Sequence, residues 1–256
     1  MFATFLAAAI SLGVVYLFGS LGETITEKAG HLNLGIPGIM CLGAVGGCYA
    51  VSLYMNAIGG VNPSVIVVLL LVLLGTSLFA VFGGMIYAFL TVSLRCNQNI
   101  TGLTLTTFGS GLADFLMVSV VDRTYLPRAG YAISTSLPFE DALGGFGTIF
   151  FSHGILVYLA IILAVLTSYF LNKTKVGLNL RAVGENPAAA DAVGINVTKY
   201  KYVAIAIGSA IAGLGGSFYI LDFIKGSWEN SATVAAMGWI SIALVIFSLW
   251  RPILGI

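Results

Sequence analysis

Thr104, Thr107, Gly111 and Asp114 follow one another at spacings of three, four and three residues in "CNQNITGLTLTTFGSGLADFL". On a helix this spacing lines two hydroxyls, a gap and a carboxylate along one face, with Ser110 beside them and Asn99 near the head of the stretch. Such groups can exchange hydrogen bonds with the hydroxyls or amides of a small polar solute. Asp114 is the one acid in an otherwise apolar run, so the stripe is expected to face a polar pathway or a partner rather than lipid. Two other uses stay open: hydrogen bonds that hold the helices together, or an Asp114 close enough to the outer surface to be hydrated.

A second polar interruption is "EKAGHLNLGIPGIM", from Glu27 to Met40. His31 and Asn33 precede a stretch too rich in glycine for regular helix. Pro37 has no N–H to donate and restricts Ile36, yet it fits the first turn of a new helix. Broken backbone at membrane depth survives only where protein or a polar cavity satisfies it. Asn33 and Gly35 are therefore expected at a broken helix start inside a bundle, beside a solute path. A plain loop with a proline start is the simpler alternative.

The third interruption is "NKTKVGLNLRAVGENPAAADAVGINVTKYKY". Asn186 can cap a short helix, Pro187 fits its first position, Ala188, Ala189 and Asp191 fall in its turns, and Gly194 fits a left-handed C-terminal position. A second amphipathic piece is expected over Leu178–Val183. Joining two spans needs far fewer residues, so a capped helix here predicts a docking surface. The other reading is a helix lying on the membrane, but this one is too alanine-rich and too poor in Trp, Phe and Leu for strong anchoring.

The elements that must position these groups belong in lipid. The 256 residues are 59% hydrophobic and 8% charged, with a mean hydropathy of +1.03, whereas a soluble domain is roughly a quarter charged. A span needs about 20 apolar residues. The expected spans are Phe2–Leu21, Ile36–Ile58, Pro63–Leu94, Ile100–Val121, Ile149–Leu171, Tyr202–Leu221 and Thr233–Trp250. Pro63–Leu94 exceeds one perpendicular span, so it is either tilted or broken near Gly75 or at Gly83-Gly84. The first span lacks a basic leader and a clear cleavage site, which argues against a signal peptide. The chain stops at "RPILGI", at what reads as the start of a further helix, so a C-terminally truncated single transmembrane domain over 1–256 is expected.

Arg95, Arg251 and the segment 172–201, with Lys173, Lys175, Arg181, Lys199 and Lys201, are assigned to the cytoplasmic side. Asp122–Gly147 and Asp222–Ala232 then lie outside, where Glu140 and Asp141 help make the outer loops acidic and Tyr125, Tyr131 and Trp228 suit the interface. Small residues four apart, as at Gly43/Gly47, Ala80/Gly84/Ala88 and Gly208/Ala212/Gly216, predict close helix packing in a many-helix bundle. Cys41, Cys48 and Cys96 have no metal-site spacing and read as small apolar residues. His153 sits at an apparent membrane boundary, where a solvated histidine is unremarkable. A net charge of +1 leaves no nucleic-acid footprint. No phosphate-binding loop, catalytic triad or metalloprotease motif is present, so no cofactor, metal or catalytic role is expected for the chain itself.

Together, "EKAGHLNLGIPGIMCLGA", the Thr104–Asp114 stretch and "GLNLRAVGENPAAADAVGINVTKYKYVAIAIGSAIAGLGG" resemble the signature regions of bacterial ABC-importer permeases. The group is the branched-chain amino acid and simple-sugar permeases, nearest to those working with basic-membrane-protein-type lipoproteins. The resemblance implies an all-α, multi-pass plasma-membrane protein like the vitamin B12 importer's permease, with broken or short helices near its centre. It also implies two cytoplasmic ATP-binding cassette subunits, a second permease subunit, identical or homologous, and an extracytoplasmic solute-binding lipoprotein. The implied substrates are nucleosides, with simple sugars next.

The family's coupling helix maps onto Asn186–Gly194, with Gly184 and Glu185 leading into it. The family's glycine-rich motif maps onto Asn33, Leu34, Gly35 and Gly38. Many relatives carry an acid where this chain has Pro37, and often an Asn near Thr106 or Thr107. Branched-chain amino acids are the alternative substrate. A self-contained channel or ion-coupled carrier is the alternative class, against which the docking helix counts; an intramembrane enzyme lacks any catalytic set.

Overall fold

The computed structural model of the chain describes residues 2–135 and 144–250. Every regular element among them is helical. In order these are α1 (Phe2–Lys28), α2 (Ile36–Ala57), α3 (Val65–Ala88), α4 (Gln98–Ser119), α5 (Leu126–Ile133), α6 (Gly144–Phe151), α7 (Ile155–Lys173), α8 (Lys175–Glu185), α9 (Pro187–Ala192), α10 (Val197–Ser217) and α11 (Ala232–Phe247). Five helical stretches are long and apolar enough to cross a membrane: α1, α2, α7, and α3 and α10 with their continuations. The chain is a polytopic helical membrane protein.

The bundle is built by close backbone approach. A Cβ on Gly43 of α2 would lie 2.5 Å from the Gly213 Cα of α10, and one on Gly46 would run into the Gly75 carbonyl of α3. Gly22 of α1 meets Gly208 of α10 in the same way. In lipid, apolar burial gives helices little net drive to associate, so dispersion contacts at such crossings do much of the work. Phe18, Met40, Tyr87 and Phe218 fill the centre and are wholly buried.

Several expected boundaries shift. The first span does not stop at Leu21. α1 continues to Lys28, because Thr24 and Thr26 return their hydroxyls to the Ser20 and Gly22 carbonyls and the helix end packs inside the bundle. The long third run is unbroken at Gly75 and at Gly83-Gly84. Those glycines admit Gly46, Leu42 and Ser209 side by side with α3 and leave its ladder intact. α3 instead widens into a π-turn at Phe89–Ser93 and ends at Arg95, whose φ is +56°. α10 ends in the same manner at the opposite face, with a π-turn at Phe218–Phe223 and a φ of +53° at Lys225.

The span expected over Ile149–Leu171 is two helices, α6 and α7, broken at Ser152–Gly154. His153 is not solvated there. It is 5% exposed and sits between the Ser11 hydroxyl and the Ile149 carbonyl. Of the cysteines, Cys41 and Cys48 are buried as expected, and Cys96 is exposed.

The stretch from Asp222 does not stay outside. It descends until Ser231 faces Cys41, whose thiol reaches the Ser231 carbonyl at 3.6 Å. Cys41 lies in the second turn of α2, which runs outward for roughly 24 Å beyond it at 1.5 Å per residue. α11 is therefore a short helix of 16 residues that begins inside the bundle. Its Gly238 sits against Pro37 and its Ser241 against Gly19, and Trp250 beyond it donates to Glu27. The expected positions of Glu140, Asp141 and Arg251 lie outside the described residues.

Candidate functional site

The residues after α1 form a non-helical loop, 29–35, wedged between α1, α3 and α4. Asn33 is wholly buried. Its N–H donates to Glu23 Oε1 at 2.8 Å, and its side-chain Oδ1 accepts from Gly35 N at 2.9 Å. Thr106 of α4 donates to the Leu34 carbonyl at 2.8 Å. Gln98 accepts from the Leu32 N–H at 3.0 Å, and Tyr87 donates to the Leu32 carbonyl at 2.6 Å. The loop's backbone is thus satisfied by side chains from three helices, as broken backbone inside a membrane bundle requires. Pro37 then occupies the first turn of α2.

Gly35 and Gly38 serve this packing. A Cβ on Gly35 would lie 2.8 Å from the Leu105 side chain, and one on Gly38 would strike the Leu105 carbonyl. In return, Gly102 and Gly109 of α4 face the backbones of Leu34 and Gly38 at 2.6–2.8 Å from a would-be Cβ. Asn33, Gly35 and Gly38 are buried in the α2–α4 contact, on the opposite side of α4 from Thr104 and Thr107. The chain does not bring the two polar sets onto one surface.

The face of α4 carrying Thr104, Thr107 and Gly111 is open. A Cβ on Gly111 would meet nothing within 4 Å. Both threonine hydroxyls return to their own helix, at Ile100 and Leu103, and Ser110 returns to Thr107. Asn99 is exposed in the first turn, where its N–H and that of Ile100 are capped by the Asn97 side chain.

Asp114 is committed elsewhere. Its Oδ1 accepts from Ser231 N at 2.8 Å and its Oδ2 from Ser231 Oγ at 2.6 Å. Ser231 is the N-cap of α11, so the carboxylate ties α4 to the positive end of that helix. Charge-assisted bonds of this kind are worth more than neutral ones. Asp114→Ala is expected to lower stability by about 2–3 kcal/mol, because it strands the Ser231 donors inside the bundle. Asp114→Asn, which keeps an acceptor, is expected to lose less. Thermal unfolding of the purified protein measures this; an unchanged midpoint with impaired uptake would instead assign the carboxylate to the solute.

The segment 172–201 forms two helices and the first turn of α10. Thr174 caps α8, Asn186 Oδ1 accepts from Ala189 N at 3.0 Å to cap α9, and Asn196 caps α10. Gly194 has a φ of +82°, the left-handed turn expected after α9. Glu185–Ala189 and Asp191–Gly194 are exposed, Val193 at 75%, while Ala190 faces inward. Gly184 seats this unit on the bundle: a Cβ there would strike the Lys28 carbonyl and lie 3.0 Å from Gly30 N. The exposed helix pair and the loop 29–35 are thus in backbone contact, at Gly184 and Gly30.

Sequence reasoning passed over Glu23 and Tyr87, and it named His31 only as part of the polar interruption. Glu23 is wholly buried and His31 is 2% exposed, its ring edge-on to Tyr87 with centroids 6.4 Å apart. Burial, and secondarily the charge of Lys201, push the His31 pKa down to about 4, so the ring is neutral at pH 7. The available signal was an acid two residues beyond the end assigned to the first span.

A bundle of closely crossing helices, broken near its centre and carrying a capped, exposed helix pair at one end, is the architecture of a multi-pass membrane protein. The sequence profile of the family described as the permease component of branched-chain amino acid transport systems matches residues 5–256, and the chain belongs to that family. It is 36% identical over 252 residues to a putative glucose ABC transporter permease of Haloferax volcanii, covering 98% of this chain and 72% of the relative. It is 34% identical over 241 residues to a nucleoside ABC transporter permease of Lactococcus lactis, covering 93% and 73%. It is 31% identical over 245 residues to a guanosine ABC transporter permease of Bacillus subtilis, covering 91% and 72%. The chain is a multi-pass permease component of a solute transport system.

Proposed function

We propose that the chain is one of two permease subunits in an importer of nucleosides or simple sugars, powered by cytoplasmic ATPases and supplied from outside by a solute-binding protein. The observation that carries this reading is the α8–α9 unit. It is capped at every start, exposed on its outer face and seated through Gly184 on the loop that opens α2. A self-contained channel has no use for such a platform. Nucleoside and sugar transport are what the relatives' names state, and both solute classes present hydroxyls.

In this reading ATPase closure presses on residues 184–194, and the Gly184–Gly30 contact passes the displacement to loop 29–35. That loop is hydrogen-bonded to α4 through Leu32 and Leu34 and packs on it through Gly35, so α4 moves with it. Thr104, Thr107 and Gly111 then form the wall that meets the second subunit or the solute, and the path changes sides. Asn99 and Ser110 flank that wall. Asn33, Gly35 and Gly38 act on it from behind.

The test is uptake in proteoliposomes holding the permease pair and its ATPases, with the binding protein added outside. ATP-dependent accumulation of radiolabelled guanosine or glucose is expected, with the other solute class much weaker. Passive flux without ATP would refute the reading in favour of a channel.

A further inference from the structure

An apolar groove of about 210 Å³ opens on the flank of the bundle at its cytoplasmic end. Ile25 of α1 forms its floor, Leu166 and Phe170 of α7 one wall, Val203 and Ile207 of α10 the other, and Leu180 of α8 its roof. Leu166, Val203 and Ile207 are each 46–54% exposed, so the groove is open sideways. The chain neighbours of its lining give it a basic rim. Lys173 ends α7, Lys175 and Arg181 adjoin the groove residues Val176 and Leu180 in sequence, and Lys199 adjoins Tyr200, while Lys201 stands near His31. Over the segment 172–201 five cations stand against two acids, Glu185 and Asp191. The Nε of Arg181 is buried with no hydrogen-bond acceptor among the described residues.

We infer that this groove binds one anionic phospholipid, with an acyl chain between α7 and α10 and the phosphate at the basic rim. An acyl chain matches the lining, which is apolar apart from Thr167 and the Tyr200 hydroxyl. That hydroxyl already accepts from Asn179 Nδ2 at 3.1 Å. A second protein helix would fill the groove equally well but would not need the rim. The excess of positive charge is what an anionic headgroup complements, and basic pockets between helices on the cytoplasmic side are suited to such lipids. Because α8 roofs the groove and leads directly into α9, the lipid would brace the platform proposed to receive the ATPase. Lipid binding itself does not depend on that role.

The experiment reconstitutes the purified full chain in nanodiscs of equal phosphatidylglycerol and phosphatidylcholine with matched acyl chains, and counts retained lipids by native mass spectrometry. Retention of phosphatidylglycerol over phosphatidylcholine by roughly fivefold is expected, the equivalent of about one favourable lysine–lipid contact. V203W, which fills the groove from an exposed position, should abolish that retention without lowering the unfolding temperature. Leu166→Trp from the facing helix should repeat the result if V203W proves unstable. K175Q together with K199Q should bring the two lipids toward parity while a tail stays bound. Equal retention of both lipids by the unmodified chain, or undiminished phosphatidylglycerol on the two groove-filled variants, overturns the inference.

Discussion

Replacing Ala189 with Arg is expected to reduce ATP-dependent uptake roughly ten- to a hundredfold while the permease remains inserted, folded and monodisperse. Ala189 is exposed in the first turn of α9, and its backbone N–H is the one that Asn186 caps. Both residues are good helix formers, so the exchange costs the helix only a few tenths of a kcal/mol. The cap is made by backbone and is kept. What changes is the outer surface, where Ala188, Ala189 and Val193 present a small apolar face. A long cation in the centre of such a face blocks close approach of any partner seated there, and losses of about 1–3 kcal/mol are usual for disrupted contacts at an interface centre.

The same logic separates uncoupling from misfolding. Ala190 on the inner side is 3% exposed, so an Arg there should destabilise the unit itself. With Ala189→Arg, ATP hydrolysis by the assembled complex should persist at its basal rate but lose its response to loaded binding protein. Val193→Glu should behave alike, since Val193 is 75% exposed. Normal uptake by both variants with intact ATPases would show that the ATPases do not dock here.

Why α9 could be read from sequence, and the wiring of α4 could not, is a matter of distance along the chain. The cap of α9, its proline and its left-handed glycine are chemistry within nine residues, from Asn186 to Gly194, and each favours one local backbone state. The apolar runs are equally local, and they place the ends of α2, and of α3 with its π-turn, to within a turn. Asp114, by contrast, acquires its role from Ser231, 117 residues away. His153 acquires its place from Ser11, 142 residues away. Periodicity put Asp114 at one edge of the Thr104–Gly111 face, and only the descent of residues 222–231 into the bundle shows what it meets. The glycines misled for the same reason. Gly83-Gly84 can mark either a break in a helix or the place where another helix comes close, and only the position of Ser209 and Leu42 distinguishes these.

That ambiguity has a sharp experimental counterpart, because glycines of the two kinds should respond to alanine with opposite signs. Gly43→Ala is expected to destabilise the bundle by about 2–4 kcal/mol. Its Cβ would fall 2.5–2.8 Å from the Cα, carbonyl oxygen and carbonyl carbon of Gly213. All three are backbone atoms, so no side chain can turn away and α2 must move off α10. Moving it also strains the Ser217 hydroxyl bond to the Gly43 carbonyl, 2.8 Å long, and the Ser217 contact with Thr76 of α3. Overpacking typically costs about 1–3 kcal/mol, and a weakened buried hydrogen bond adds about 1. Gly13 of α1 offers the contrast: a Cβ there meets nothing within 4 Å. Gly13→Ala should be neutral or stabilising by up to about 1 kcal/mol, through helix propensity alone. The unfolding temperatures of the two variants in the same detergent measure the difference. Equal midpoints would mean that the α2–α10 crossing does not hold the bundle together, and that α10 does not stand against α2 as closely as Gly43 and Gly213 require.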